Sequence, residues 1–275
     1  MRLPDHRLVW SFFILAALAS GPAYSQSEND SPPLKSRTDH WTAYVGGEWD
    51  FLKNEGPPLN GTDWQEAHWG IGYSEPSSFS LVFSHRVVGR THQWDNIFGL
   101  DAYAKLPGPF SFRGFAGGSP DHDFVYRLRG EGELTVSLLK ALQVGAGYWF
   151  IKYDTTDIHI LTPLLSLFAG NFEFDFRYLN ILDTGADERF NAYSFRVSDT
   201  FDDRWLRPFA GIVFGERIFG ILTVQQAPVQ KGYLAFAGNT FGLSRRLDLS
   251  LSVSYAHEDP AFTYLGIGSD LKLRF

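Results

Sequence analysis

A chain of 275 residues with a net charge of −7 and no cysteine excludes a nucleic-acid binder, which needs a basic face. It also excludes a disulfide scaffold, a thiolate metal centre and a lipoprotein anchor. Mean hydropathy is slightly negative, and no stretch approaches the roughly 20 apolar residues of a membrane-spanning helix, so a helical membrane protein is excluded too, whereas a membrane barrel, in which only alternate residues face lipid, is not.

In chain order, the first feature is a leader. Arg2 and Arg7 flank the start, an apolar run covers Leu8 to Ala19, and Ala23-Tyr24-Ser25 supplies a small-x-small site. This combination predicts a secretory signal peptide over residues 1–25, cleaved after Ser25. Residues 26–39 are polar and Pro-containing and read as a short flexible lead in the periplasm. The remainder, residues 40–275, reads as one domain.

From His40 onward the dominant period is two, the signature of strands. In Asn171–Ile181, Phe172, Phe174, Phe176 and Tyr178 alternate with Glu173, Asp175 and Arg177. The same alternation runs through 41–51, through 247–256 and through 265–275, and around 124–133 Phe124, Tyr126 and Leu128 oppose Arg127, Arg129, Glu131 and Glu133. The segments are about 10–13 residues long, the length a tilted strand needs to cross a bilayer, against about 5–6 for ordinary strands. Trp41, Trp49, Phe51, Tyr73, Trp94, Tyr178, Tyr255 and Phe275 fall near segment ends on the apolar face, as the aromatic girdles of a membrane barrel require.

The pattern predicts an all-β fold, a transmembrane antiparallel up-and-down barrel of about fourteen strands: 41–51, 64–74, 78–89, 93–105, 109–118, 123–137, 141–153, 157–168, 171–181, 190–200, 204–215, 230–243, 247–257 and 263–275. Pro163 and Pro208 fall inside two of these, where proline removes a ladder donor, so twelve strands is the alternative. Short turns (75–77, 106–108, 138–140, 169–170, 201–203, 244–246) alternate with mostly longer connections, among them 52–63, 182–189, 216–229 and 258–262. This is the parity of periplasmic turns and outer loops, and an even count puts both termini in the periplasm. The connection 216–229 has room for one more element.

The chain ends on Ser269-Asp270-Leu271-Lys272-Leu273-Arg274-Phe275. Leu271, Leu273 and Phe275, apolar at every second position with a final aromatic, resemble the signal read by the outer-membrane assembly machinery. Over most of 41–275, and most strongly in Asp63-Trp64 to Tyr73, in Asp123–Tyr153 (DFVYRLRGEGELTVSLLKALQVGAGYWFIKY) and in the closing strands, the chain resembles the YaiO-type outer-membrane barrel family. The resemblance implies a barrel in the bacterial outer membrane and no established activity. Expected partners are outer-membrane lipid and lipopolysaccharide, the barrel-assembly machinery and periplasmic chaperones.

The polar face carries the candidate site. Glu48, Glu66, Asp101, Arg113, Arg127, Arg129, Glu131, Glu133, Glu173, Asp175, Arg177 and Arg196 are expected to line the lumen, joined by Asp50, Lys105, Asp248, Asp270, Lys272 and Arg274. They read equally as a channel wall that sets solute selectivity and as paired charges filling a narrow bore. The eight histidines show no two-His ligand spacing. Asp121-His122-Asp123 reads as a solvated turn sooner than a cation site. Ser84 and His85 are adjacent on a strand and point to opposite faces, so they form no catalytic dyad. The sequence therefore predicts no enzyme, cofactor or metal. Its first functional expectation is a passive pore or conduit for small polar or saccharide solutes. The alternatives are a structural or adhesive surface barrel with a closed lumen and, third, a lipid-modifying enzyme.

Overall fold

The period-two segments become fourteen strands of 9 to 14 residues. They are β1 (Trp41–Asn54), β2 (Trp64–Glu75), β3 (Phe79–Arg90), β4 (Gln93–Lys105), β5 (Phe110–Gly118), β6 (Leu128–Leu139), β7 (Leu142–Lys152), β8 (Asp157–Ala169), β9 (Phe172–Asp183), β10 (Glu188–Asp199), β11 (Leu206–Glu216), β12 (Lys231–Gly242), β13 (Leu247–Asp259) and β14 (Phe262–Arg274). The computed structural model describes residues 40–54, 64–75, 78–90, 93–123, 125–200, 205–216, 231–259 and 262–275. The predicted signal peptide, the lead, the turn 201–203 and the connections 55–63 and 217–230 lie outside the described residues.

Each strand pairs antiparallel with its sequence neighbours, and β1 also pairs with β14, closing the sheet into a barrel. At the seam the Trp41 N–H donates to the Phe275 carbonyl at 3.0 Å, and the Phe275 N–H returns to the Trp41 carbonyl at 2.9 Å. Closure satisfies the backbone groups that an open edge would leave unpaired, the requirement for any sheet placed in hydrocarbon.

The register sends one parity of each strand outward. That outer face is apolar: Val45, Leu134, Leu161, Leu251, Val253 and Leu265 are all exposed. It is bordered by aromatics at both ends. Trp41, Tyr73, Phe110, Phe172 and Phe275 mark the end carrying the termini, and Trp49, Trp94, Tyr178, Tyr193, Tyr233 and Tyr255 mark the far end. Level with the far girdle or beyond it the outward positions turn polar, with Gln65 opposite Trp49 and with Lys152, His159, Asn180 and Asn191. Leu251 lies within the apolar band, so Leu251→Arg is expected to destabilise the barrel by ~2–4 kcal/mol. Urea unfolding from lipid bilayers measures this; a cost near zero would place Leu251 against water.

The proline-bearing strands hold. Pro163 sits opposite Ala146 of β7, and the ladder to β9 is interrupted only over Thr162 and Pro163, between Leu161↔Asn180 and Leu164↔Arg177. Pro208 pairs with Asn239 of β12 while the ladder to β10 ends one step earlier at Ser198↔Phe209. In both cases a proline without an N–H coincides with a local gap in one ladder, and the strand survives. Gly108, at φ +79° behind Pro107, makes the tight turn between β4 and β5 that Pro-Gly favours.

Two sequence expectations need correction. The sixth strand starts at Leu128 rather than at residue 123. Tyr126, expected outward, is buried in the apolar interior together with Val125, because the segment before β6 folds inward instead of continuing the ladder. The far-end connections are also shorter than read: only 184–187 separates β9 from β10, and only 260–261 separates β13 from β14. The strands run past the apolar outer band, so polar residues such as Asp183, Glu188 and Arg189 belong to strands, where composition alone suggests loop.

Candidate functional site: the barrel lumen

The inward parity defines the bore. Register places Glu48, Glu66, Asp101, Arg113, Arg129, Glu131, Glu133, Glu173, Asp175, Arg177 and Arg196 on the inner face, with Asp50, Lys105, Asp248, Asp270, Lys272 and Arg274. Arg127 departs from the expectation: it precedes β6 and is exposed. His68, Arg86, Asp95 and Arg207 also face inward. The alternation of β2, β3, β4 and β11 carried that information; these strands simply show it over fewer charged positions.

The bore has two halves of different chemistry. Toward the termini it is polar and partly accessible. Arg113 donates to Asp101 at 3.1 Å. Arg177 of β9 reaches past two strands to Glu133 of β6, over the notch left by Gly147. Asp248 of β13 accepts from Arg274 of β14 and, at 2.8 Å, pairs with Arg207 of β11. His68 of β2 meets Asp270 of β14 at 2.6 Å across β1. Each of these pairs joins neighbouring strands or strands two or three places apart round the ring. These pairs run along the wall between nearby strands of the ring.

Large rings near them do the same. A Cβ built on Gly70 would fall 2.4 Å from the Tyr44 ring, and one on Gly211 would fall 2.3 Å from the Phe236 ring. These rings lie flat over glycine of the adjacent strand, where any other residue would push them toward the axis.

The far half carries a large apolar cluster beside buried charges, which the expectation of a uniformly polar lumen missed. Trp149, Ile151, Ile158, Ile160, Leu179, Ile181, Val213 and Leu234 all point inward and form one buried cluster, joined by Val125 and Tyr126. Ile160, Ile181 and Val213 are each only 1% exposed. The signal was present: in Tyr148–Ile151 and Ile158–Leu161 three or all of the four residues are apolar or aromatic, so both faces lose their polarity at once.

Two buried charges lie within the far half, Arg129 opposite Ile151 and Asp95 opposite Val88. The Arg129 guanidinium pairs with Glu131, its Nε donating at 2.5 Å, and lies 5.7 to 5.9 Å from the ring centres of Phe115, Tyr126 and Trp149, within cation–π range. Asp95 is fully buried and accepts the backbone N–H groups of Asp123 and Val125, both at 2.9 Å. It thereby pins the inward segment before β6. Burial pushes the Tyr126 and Tyr153 phenols above their ordinary range, so both remain neutral at physiological pH.

The remaining candidates resolve as follows. His122 reaches Asp154 at 3.2 Å, and Asp121 accepts from Asn96 at 2.8 Å. Among the described residues no group of three or more His, Asp or Glu side chains has the geometry to hold a metal ion. Ser84 faces inward, while His85 faces outward and accepts from the Trp69 indole at 3.0 Å. Leu271, Leu273 and Phe275 lie on the outer face, exposed.

The fold is shared with solved barrels at low sequence identity. One, a "CymD monoaromatic hydrocarbon channel", aligns over 87% of this chain and 89% of its own with a TM-score of 0.57 and 10% identity. A "bacterial polysaccharide outer membrane secretin" aligns over 86% and 99% with a TM-score of 0.52 and 9% identity. The outer membrane protein Omp33 of Acinetobacter baumannii aligns over 86% and 99% with a TM-score of 0.51 and 10% identity. No family model and no curated protein matches the sequence. The chain is a closed, fourteen-stranded antiparallel β-barrel of the architecture seen in outer-membrane proteins.

Proposed function

We propose that this chain is an exported outer-membrane protein of the YaiO type that conducts small polar or saccharide solutes through a mixed-charge bore. Signal peptide cleavage after Ser25, delivery by periplasmic chaperones and recognition of Leu271, Leu273 and Phe275 by the assembly machinery belong to the same reading. The observation that carries it is the placement of the lumen charges. The pairs Arg113–Asp101, Arg177–Glu133 and Asp248 with Arg207 and Arg274 run along the wall from strand to nearby strand, which supports a bore lined by charge. A fourteen-stranded ring lies between barrels of about eight strands, packed solid, and those of 16 to 18, which hold an aqueous channel. The solved barrels of like fold include proteins described as a hydrocarbon channel and a polysaccharide secretin, so the architecture suits conduction of either cargo. The far apolar belt then acts as a gate, since hydrophobic constrictions close by dewetting.

Planar-bilayer recording from pure refolded protein tests the proposal. Discrete channel events are expected, with openings interrupted by closures at the apolar belt. A complete absence of events would refute conduction. It would favour the second reading, a structural surface barrel with a closed lumen, which is supported by the near-zero exposure of Ile160, Ile181 and Val213.

A further inference from the structure

We propose that the wall sector formed by β14, β1 and β2 binds a small organic cation, an ammonium or guanidinium group, through Glu48 and Glu66; the inference rests on the conduit reading in naming the class of solute the bore prefers. Glu48 and Glu66 are direct cross-strand partners, a register in which like charges repel. Asp50 lies on the same face of β1, and Asp270 of β14 stands at the edge of the group. Glu66 is fully buried, and neither of its carboxylate oxygens has a hydrogen bond among the described residues. Its ion-pair partners, Arg86 Nε and His68 Nδ1, both stand 3.5 Å from Oε1. Glu48 is 4% exposed and has no hydrogen bond or ion pair among the described residues.

Two buried acceptor groups short of donors represent a desolvation cost that a ligand rich in N–H groups removes. Among the described residues the carboxylates do not form a metal-holding set, which favours a polyatomic cation over a bare ion. The wall beneath them is cut back to backbone. A Cβ on Gly46 would fall 2.3 Å from Asp270 Oδ1 and 2.5 Å from His68 Nε2, and one on Gly268 would fall 3.0 Å from Glu48 Cδ. The Glu48 and Asp270 carboxylates therefore lie close against the sheet. The approach runs from the polar half past Asp270, whose side chain is 31% exposed.

The test is isothermal titration of the refolded full chain in detergent with putrescine at low salt. Wild type is compared with the Glu48→Gln, Glu66→Gln double variant, each verified as folded by its heat-modifiable electrophoretic mobility. Saturable binding is expected for wild type, weakened about tenfold or more in the double variant, the loss of one charge-assisted hydrogen bond or more. Absence of saturable binding to wild type, or equal affinity in both proteins, overturns the site. If the double variant does not fold, Glu48→Gln alone is titrated, and unchanged affinity there also overturns it. Bilayer recording keeps the two proposals separate. Channel events without putrescine binding reject this site and leave the conduit standing, whereas binding without channel events rejects the conduit and leaves the site.

Discussion

Deleting Phe262–Phe275 is expected to abolish the folded barrel outright. The segment is the whole of β14 and the final residue, and it supplies thirteen register pairs to β1 and twelve to β13. Without it both flanking strands become open edges. In water an edge is an aggregation liability; in hydrocarbon each unpaired N–H or C=O costs several kcal/mol. No compensating partner exists, because β1 would have to meet β13 across the space of a missing strand. The shortened chain should show no heat-modifiable band and full protease sensitivity after refolding into liposomes. A protease-resistant, heat-modifiable product would mean that closure through β14 is dispensable.

The second large effect is expected at Asp248. Its carboxylate is 6% exposed and holds both Arg274 and Arg207, which are themselves 10% and 11% exposed. Removing it leaves two guanidinium groups facing each other in a poorly solvated wall, and breaking a buried pair from one side costs about 3–5 kcal/mol. Asp248→Ala should lower stability by that amount. Asp248→Asn should recover part of the loss, because the amide oxygen still accepts one hydrogen bond. Urea-unfolding midpoints of the three proteins in lipid check the order. A loss below about 1 kcal/mol, the worth of a solvent-exposed pair, would show that water reaches this corner of the bore.

The barrel was legible because lipid and lumen impose opposite demands on adjacent residues. Glu173, Asp175 and Arg177 alternating with Phe172, Phe174 and Phe176 can satisfy both only as a strand between the two media. The same logic ordered β1, β13 and β14. It failed where the lumen itself turns apolar. In Ile158–Leu161 only His159 is polar, and it points outward at the lipid boundary, so alternation gives no sign of which face is which. The boundary of β6 was misplaced for a related reason. Val125 and Tyr126 continue the apolar composition of a strand, but Asp95, thirty residues away in sequence, draws their backbone inward, and no local pattern reports a partner so distant. The lumen charges were visible one at a time. Which of them meet was not, since pairs such as His68 with Asp270 depend on the ring closing between β1 and β14.

A direct test of the lipid-outside, polar-inside account is a spin-label scan along β13. The chain has no cysteine, so single cysteines at residues 249 to 253 can be labelled one by one without background. In liposomes, Leu249, Leu251 and Val253 should be accessible to oxygen dissolved in the bilayer, and Ser250 and Ser252 to a water-soluble nickel chelate or to neither. The account predicts a clean period of two across the five positions. Uniform accessibility, or nickel-chelate access at Leu251, would contradict it.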